Sequence, residues 1–226
     1  MPEKDLIAGL DVGSTMIRLA VGQLAAGAEK IHIIGSAEVP AEGISKGIIS
    51  SLEDAVSSVS ACLEKAERMI GVPIQNVWVG ISGAHIISQE SRGVVAVARA
   101  DGEISEDDVE RSIEAARTVA TPPNYEILHV IPKSFTVDGQ PGIKDPLGMT
   151  GVRIEVETQI IQGLSSQIKN LTKAVYRTGL NIEDLVLSIL ATSEAVLTSR
   201  QKELGVAVVN IGGSTTSLAV FEEGDI

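Results

Sequence analysis

The sequence predicts an α/β fold in two halves, with an α+β unit inserted into the first half. Three observations carry that prediction. The chain opens with a strand meander, an amphipathic helix and a returning strand; the stretch near 84–162 breaks that rhythm; and a hairpin near the end repeats one near the start.

Taken in order, Ile7 to Val12 and Ile17 to Val21 read as two short apolar strands joined at Gly13-Ser14-Thr15, and Lys30 to Val39 as a third. From Leu52 to Met69 the apolar residues recur at three and four. Ser51 and Asp54 have the spacing of a helix-start box, and Gly71 stands just past the end, so one amphipathic helix is expected there. Asn76 to Ile81 reads as a buried strand. The next stretch differs, with strands expected at Val94 to Ala98, Ile127 to Val137 and Val152 to Ile161. A helix is expected from Glu106 to Ala120, capped by Ser105 and stopped by Pro122-Pro123. Alternation then resumes: a helix at Ser166 to Arg177, a strand at Asp184 to Ile189, a helix at Ser193 to Gln201, a strand at Gly205 to Ile211 and a second hairpin strand at Ser217 to Phe221. Glu222-Glu223-Gly224-Asp225 is turn chemistry that should lead into a third strand, so the chain is expected to be a piece of a longer protein.

Composition narrows the function. Thirty acidic against 18 basic side chains give a net charge of −12, which repels phosphate backbones and anionic lipid surfaces unless a local basic patch intervenes, and none is visible. The aromatics are Trp78, Tyr125, Tyr176, Phe135 and Phe221, too few for the stacking platforms of single-stranded nucleic acid binding, so no nucleic acid partner is expected. Cys62, the one cysteine, lies in a helical apolar pattern and reads as a buried hydrophobe; a reducing cytoplasm fits. Met1 to Leu6 lacks a signal-peptide apolar core, and no apolar run approaches membrane-spanning length.

Asp11 to Val21 and Asn210 to Val220 align without gaps, sharing an acid or amide start, a glycine in third place and an identical Leu-Ala-Val. Each is an apolar strand, a Gly/Ser/Thr turn and a second strand. Such turns aim backbone N–H groups and hydroxyls at one spot, which suits a phosphate, and an acid before the turn can hold the water shell of magnesium. A single copy could equally be a plain β-hairpin. Two matching copies favour the phosphate reading.

Two such loops, the second opening a new sheet, resemble the actin, Hsp70 and sugar kinase superfold, in which ATP is clamped between them. Within it, Gly80-Ile-Ser-Gly-Ala-His-Ile86, Leu128-His-Val-Ile-Pro132, Gly142 to Arg153 and Lys202 to Gly213 resemble the FtsA family of bacterial cell division proteins, in order and over nearly the whole chain. The resemblance implies an actin-like, ribonuclease-H-like domain divided as subdomain IA at 1–83 and 163–203, an inserted subdomain 1C at 84–162, and the start of subdomain IIA at 204–226. It implies tethering of FtsZ filaments to the cytoplasmic face of the inner membrane at the division site. It also implies self-association and contacts with later division proteins through 1C. FtsZ binding, the membrane-binding amphipathic helix and the adenosine loop would belong to downstream segments, so this piece is expected to bind ATP weakly or not at all and to be inactive alone.

The site residues implied by the resemblance are Asp11, orienting magnesium-bound water, with Gly13, Ser14 and Thr15 cradling phosphate, then Asn210, Gly212, Gly213, Ser214, Thr215 and Thr216 in the second loop. Relatives often carry lysine where Met16 stands, which removes one cation; Arg18 follows on the same strand face as a stand-in. Asn210 replaces a frequent aspartate and Ser217 a frequent acid, so binding is expected to outlast hydrolysis. Glu194 is expected at a helix start, where the superfold positions attacking water, although a first-turn glutamate also suits the helix dipole alone. His32, His85 and His129 lack ligand spacing and receive no catalytic role; the acidic run Glu103 to Glu114 reads as a solvated helix start. The alternatives are a pilus-assembly actin homologue and, against the Asn210 substitution, a sugar or acid kinase.

Overall fold

The computed structural model describes residues 6–24, 30–118 and 121–226. The acidic N-terminus at 1–5 and the expected helix end at Val119 and Ala120 lie outside the described residues.

Strands β1 (Leu6–Val12), β2 (Met16–Leu24) and β3 (Ile31–Pro40) form an antiparallel meander. Their alternation turns Ala8, Leu10 and Val12, then Ile17, Leu19 and Val21, to one face, leaving Asp11, Arg18 and Glu38 on the other. A short hairpin, β4 (Ile44–Ser45) and β5 (Ile48–Ile49), leads into α1 (Leu52–Ile70). That helix starts at Ser51, whose hydroxyl accepts the Asp54 N–H at 3.5 Å, and ends at Gly71, whose φ of 75° closes the last turn onto the Glu67 carbonyl. Its Ala55, Val59, Cys62 and Ala66 stripe packs on the apolar sheet face, and burial raises the Cys62 thiol pKa. Because α1 supplies the crossover, β6 (Asn76–Ile81) pairs parallel to β1.

The inserted unit holds β7 (Ile86–Ala96), α2 (Glu106–Arg117), β8 (Tyr125–Val137), β9 (Gln140–Ile143) and β10 (Arg153–Leu164). Its antiparallel sheet runs β7-β10-β8-β9 and has its own core of Ile104, Ala116, Phe135, Val137, Ile154 and Val156. The expected strand at Val94 to Ala98 instead starts at Ile86 and ends at Ala96. Its first half, Ser88 to Arg92, is polar and shows no apolar alternation; it is a strand because β10 pairs with it, Arg92 meeting Glu155 and Glu157 across the ladder.

Helix α3 (Ser165–Tyr176) then joins α1 over the first sheet, and β11 (Asn181–Leu187) pairs parallel to β6, completing the order β11-β6-β1-β2-β3. Two expectations are corrected here. Ile189 is not in the strand, because α4 (Ser188–Val196) begins at Ser188; and the helix expected at Ser193 to Gln201 is two helices. Leu197 is extended, and Thr198 opens α5 (Ser199–Leu204) with a capping box to Gln201, a signal visible in the sequence as Thr-x-x-Gln. The last hairpin, β12 (Val206–Ile211) and β13 (Thr216–Phe221), packs Val208, Ala219 and Phe221 against Ile189 and leaves Val209, Ile211, Leu218 and Val220 exposed. Among the described residues, no helix is long and apolar enough to cross a membrane.

Candidate functional site

The repeat is a repeat of backbone geometry. In the first hairpin Asp11 faces Arg18 and Val12 faces Ile17; in the second Asn210 faces Ser217 and Ile211 faces Thr216. The turns close the same way: the Gly13 N–H donates to the Met16 carbonyl at 3.1 Å and the Gly212 N–H to the Thr215 carbonyl at 2.9 Å. Close approach requires glycine at 13, where a Cβ would stand 2.7 Å from the Met16 carbonyl, and favours it at 212, where a Cβ would stand a tight 3.0 Å from the Thr215 carbonyl.

Tertiary packing brings the two turns into contact, although they lie far apart in sequence. A Cβ on Gly213 would stand 2.2 Å from Thr15 Cγ2, so the absence of a side chain there lets the loops touch. The tip of the β4–β5 hairpin joins them. The Lys46 N–H donates to Ser214 Oγ at 3.0 Å and the Gly47 N–H to Ser14 Oγ at 3.1 Å, while the Ala41 N–H donates to the Thr15 carbonyl. Ser14, Thr15, Gly213 and Ser214 therefore share one locus, with Gly13 and Gly212 closing their turns beside it. Thr215 and Thr216 continue the second loop into β13.

Asp11 sits at the end of β1, half-exposed, beside the parallel ends of β6 and β11. The Ser188 hydroxyl donates to Asp11 Oδ1 at 3.5 Å, and Arg18 Nη1 lies 3.8 Å from Oδ2. Gly80 leaves this pocket open: a Cβ would be 2.8 Å from Ser188 Oγ and 3.4 Å from Asp11 Oδ1. Burial raises the Asp11 pKa, against the opposing pull of the Arg18 charge and the Ser188 hydrogen bond. A carboxylate half removed from water and not fully compensated is suited to a hydrated divalent cation, which supplies the missing charge. Its counterpart Asn210 carries no charge to add.

Other expected residues fall elsewhere. Glu194 lies in the last turn of α4, not the first, because the helix starts five residues earlier than expected. Its carboxylate pairs with Lys202, which lies 5.2 Å above the Phe221 ring, at the end of the β12–β13 hairpin opposite Gly212–Thr215. The residue that α4 does bring to Asp11 is Ser188, which sequence reasoning missed. Arg18 is committed to the sheet surface, between Asp11 and Glu38. The β4–β5 tip was also missed, yet Ile-Ser-Lys-Gly-Ile-Ile, with three isoleucines flanking a Lys-Gly turn, signals it. His129 Nε2 accepts the Leu187 N–H at 2.9 Å, and burial lowers its pKa and that of His85.

Comparison with known proteins places this geometry. Residues 83–162 match the family described as the SHS2 domain inserted in FTSA. The chain is 40% identical over 226 residues to the cell division protein FtsA of Bacillus subtilis, covering 100% of this chain and 51% of that protein. It is 38% identical over 221 residues to FtsA of Pseudomonas aeruginosa, covering 98% and 52% respectively. A solved chain of the PilM-PilN type IV pilus biogenesis complex superposes with a TM-score of 0.66 at 14% identity, covering 95% of this chain and 57% of that one, a likeness of fold alone. The fold is thus actin-like, and the chain spans about half the length of the curated relatives it matches. Nearly all of the chain thus aligns with about half the length of FtsA proteins, and its inserted unit matches the SHS2 domain inserted in FTSA, so the chain is similar to the FtsA family throughout its own length.

Proposed function

We propose that this chain forms the phosphate-gripping part of a nucleotide-switched, actin-like division protein that tethers FtsZ filaments to the cytoplasmic face of the membrane during septum assembly. The observation that carries the reading is the meeting of two geometrically equivalent turns, Gly13–Met16 and Gly212–Thr215, at the Thr15–Gly213 contact. Ser14, Thr15, Ser214 and Thr215 offer hydroxyls, and the turn backbones offer N–H groups, to the oxygens of an ATP polyphosphate tail. Asp11 orients the water shell of magnesium, which when bound neutralises phosphate charge. Asn210 lacks a carboxylate to act as base, and Glu194 is engaged by Lys202, so the nucleotide acts as a switch with slow or absent hydrolysis.

In this reading residues 1–83 and 163–203 are subdomain IA, 204–226 begin IIA, and 84–162 are 1C, the surface for self-association and for later division proteins. The separate core of the inserted sheet supports treating it as a unit. FtsZ, lipid and adenine contacts belong to the part of the relatives that this chain does not span. The family match of the inserted unit favours this over the pilus-assembly reading, and Asn210 disfavours a kinase.

The test is pelleting of the protein, continued over the full length of its relatives, with FtsZ and anionic lipid vesicles, with and without Mg·ATP. ATP-dependent co-pelleting that is lost in a Ser14→Ala, Ser214→Ala variant is expected. Recruitment of FtsZ indifferent to both ATP and these changes would sink the switch.

A further inference from the structure

We propose that the tip of the β4–β5 hairpin is a third wall of the polyphosphate site and that Lys46 supplies its cation. This rests on reading the two loops as a phosphate site, and it assigns the charge that neither loop carries.

Placement comes first. Lys46 and Gly47 donate their backbone N–H groups to Ser214 Oγ and Ser14 Oγ, one to each loop, so the tip spans both. A hydroxyl that accepts from an N–H keeps its own hydrogen to donate, so these two bonds leave both serine O–H groups available to an anion. The tip is also braced: a Cβ on Gly47 would stand 2.4 Å from the Ser82 carbonyl, and one on Gly43 would stand 2.4 Å from the Ser51 carbonyl.

Strain points the same way. Ile44 pairs with Ile49 and Ser45 with Ile48, leaving a two-residue turn in which Lys46 has φ 52° and Gly47 φ 72°. Such a turn favours Asn or Gly at its first place, and a lysine held in the left-handed region is uncommon. Such a conformation persists where the surroundings fix the backbone, and here the bonds of the tip to Ser214 and Ser14 do so.

Charge completes the argument. Met16 and Ser217 bring no cation to the loops, and Arg18 is engaged by Asp11 and Glu38. Lys46 is exposed and makes no ion pair among the described residues. Its flexible four-carbon stem carries a compact ammonium able to follow a phosphate tail. In a chain of net charge −12, a phosphate tail needs such a local cation.

The test titrates Mg·tripolyphosphate, which needs no adenine pocket, into the chain and into its K46N, K46R and S14A/S214A variants, with K173Q on the exposed face of α3 as a charge control. Thermal unfolding is recorded alongside. K46N should fold at least as stably, since Asn-Gly is the favoured turn, yet bind about tenfold or more weakly, the effect of one lost charged hydrogen bond. K46R should stay within about threefold of the parent, and K173Q should match it. If the parent binds, S14A/S214A weakens it and K46N binds like the parent, the role of Lys46 is overturned and the loops remain a phosphate site. If the parent itself does not bind tripolyphosphate, the phosphate reading and the Lys46 proposal fall together.

Discussion

Replacing Asp108 by asparagine should destabilise the inserted unit selectively. Asp108 is fully buried at the start of α2, and its Oδ2 accepts the Ser105 N–H at 3.0 Å and the Ser105 hydroxyl at 2.7 Å. Its Oδ1 accepts the Ala98 N–H at 3.0 Å and also meets Arg111. Hydrogen bonds to a charged acceptor are worth roughly 1.5–3 kcal/mol each but are not additive, and asparagine keeps one oxygen while turning an NH2 toward a donor. The expected loss is about 3 kcal/mol for α2 and its sheet. These bonds, the Ser105 N–H foremost, hold the Asp108 carboxyl below the usual carboxylate range against the opposing effect of burial. A depressed folded value makes the contribution fully present above the unfolded value near ~3.9, and it is lost as pH falls below that toward the folded value. D108N should therefore also flatten the acid-side loss of stability below about pH 4. Trp78 lies in β6, so its fluorescence reports the first sheet, whereas amide exchange in Val109–Ala116 reports the inserted unit. Exchange there should quicken about a hundredfold with the Trp78 transition little moved. An exchange rate within about threefold of the parent, or an equal shift of both probes, would refute the reasoning.

Other predictions follow from the same contacts. Gly93→Ala places a methyl 1.9 Å from the Ser112 carbonyl and 2.7 Å from the Ala116 nitrogen; pushing α2 off β7 should cost about 3 kcal/mol in denaturant unfolding. Gly213→Ala should weaken the contact between the loops by about 1–2 kcal/mol, and adding Thr15→Ser, which removes the clashing methyl, should recover part of it in a double-mutant cycle. Because burial raises the Asp11 pKa, its relative contribution to stability is present at acid pH and lost as pH rises through the folded value. Asp11→Asn should thus leave stability at neutral pH unchanged or higher in thermal unfolding, while weakening magnesium-dependent phosphate binding. Glu194→Gln removes the exposed, carboxylate side of its pair with Lys202 and should change stability by about 1 kcal/mol at most, with tripolyphosphate affinity unaltered in the same titration.

What could be read from the sequence was what short-range chemistry determines. The α1 stripe with Ser51 and Gly71 at its ends, the Gly/Ser/Thr turns after Asp11 and Asn210, and the repeated Leu-Ala-Val each carry their own signal within a few residues, because helix period, capping and turn geometry are local properties of the backbone. Even there, Thr198-x-x-Gln201 was outweighed by a run of helix formers, and the two short helices read as one. Tertiary structure alone decided which residues meet. Ser188 reaches Asp11 from 177 positions away and Lys46 reaches Ser214 from 168, while the polar half of β7 is a strand only because β10 lies beside it. Such meetings depend on sheet register and on close approach at Gly80, Gly47 and Gly213, where packing of distant segments rather than local preference sets the distance.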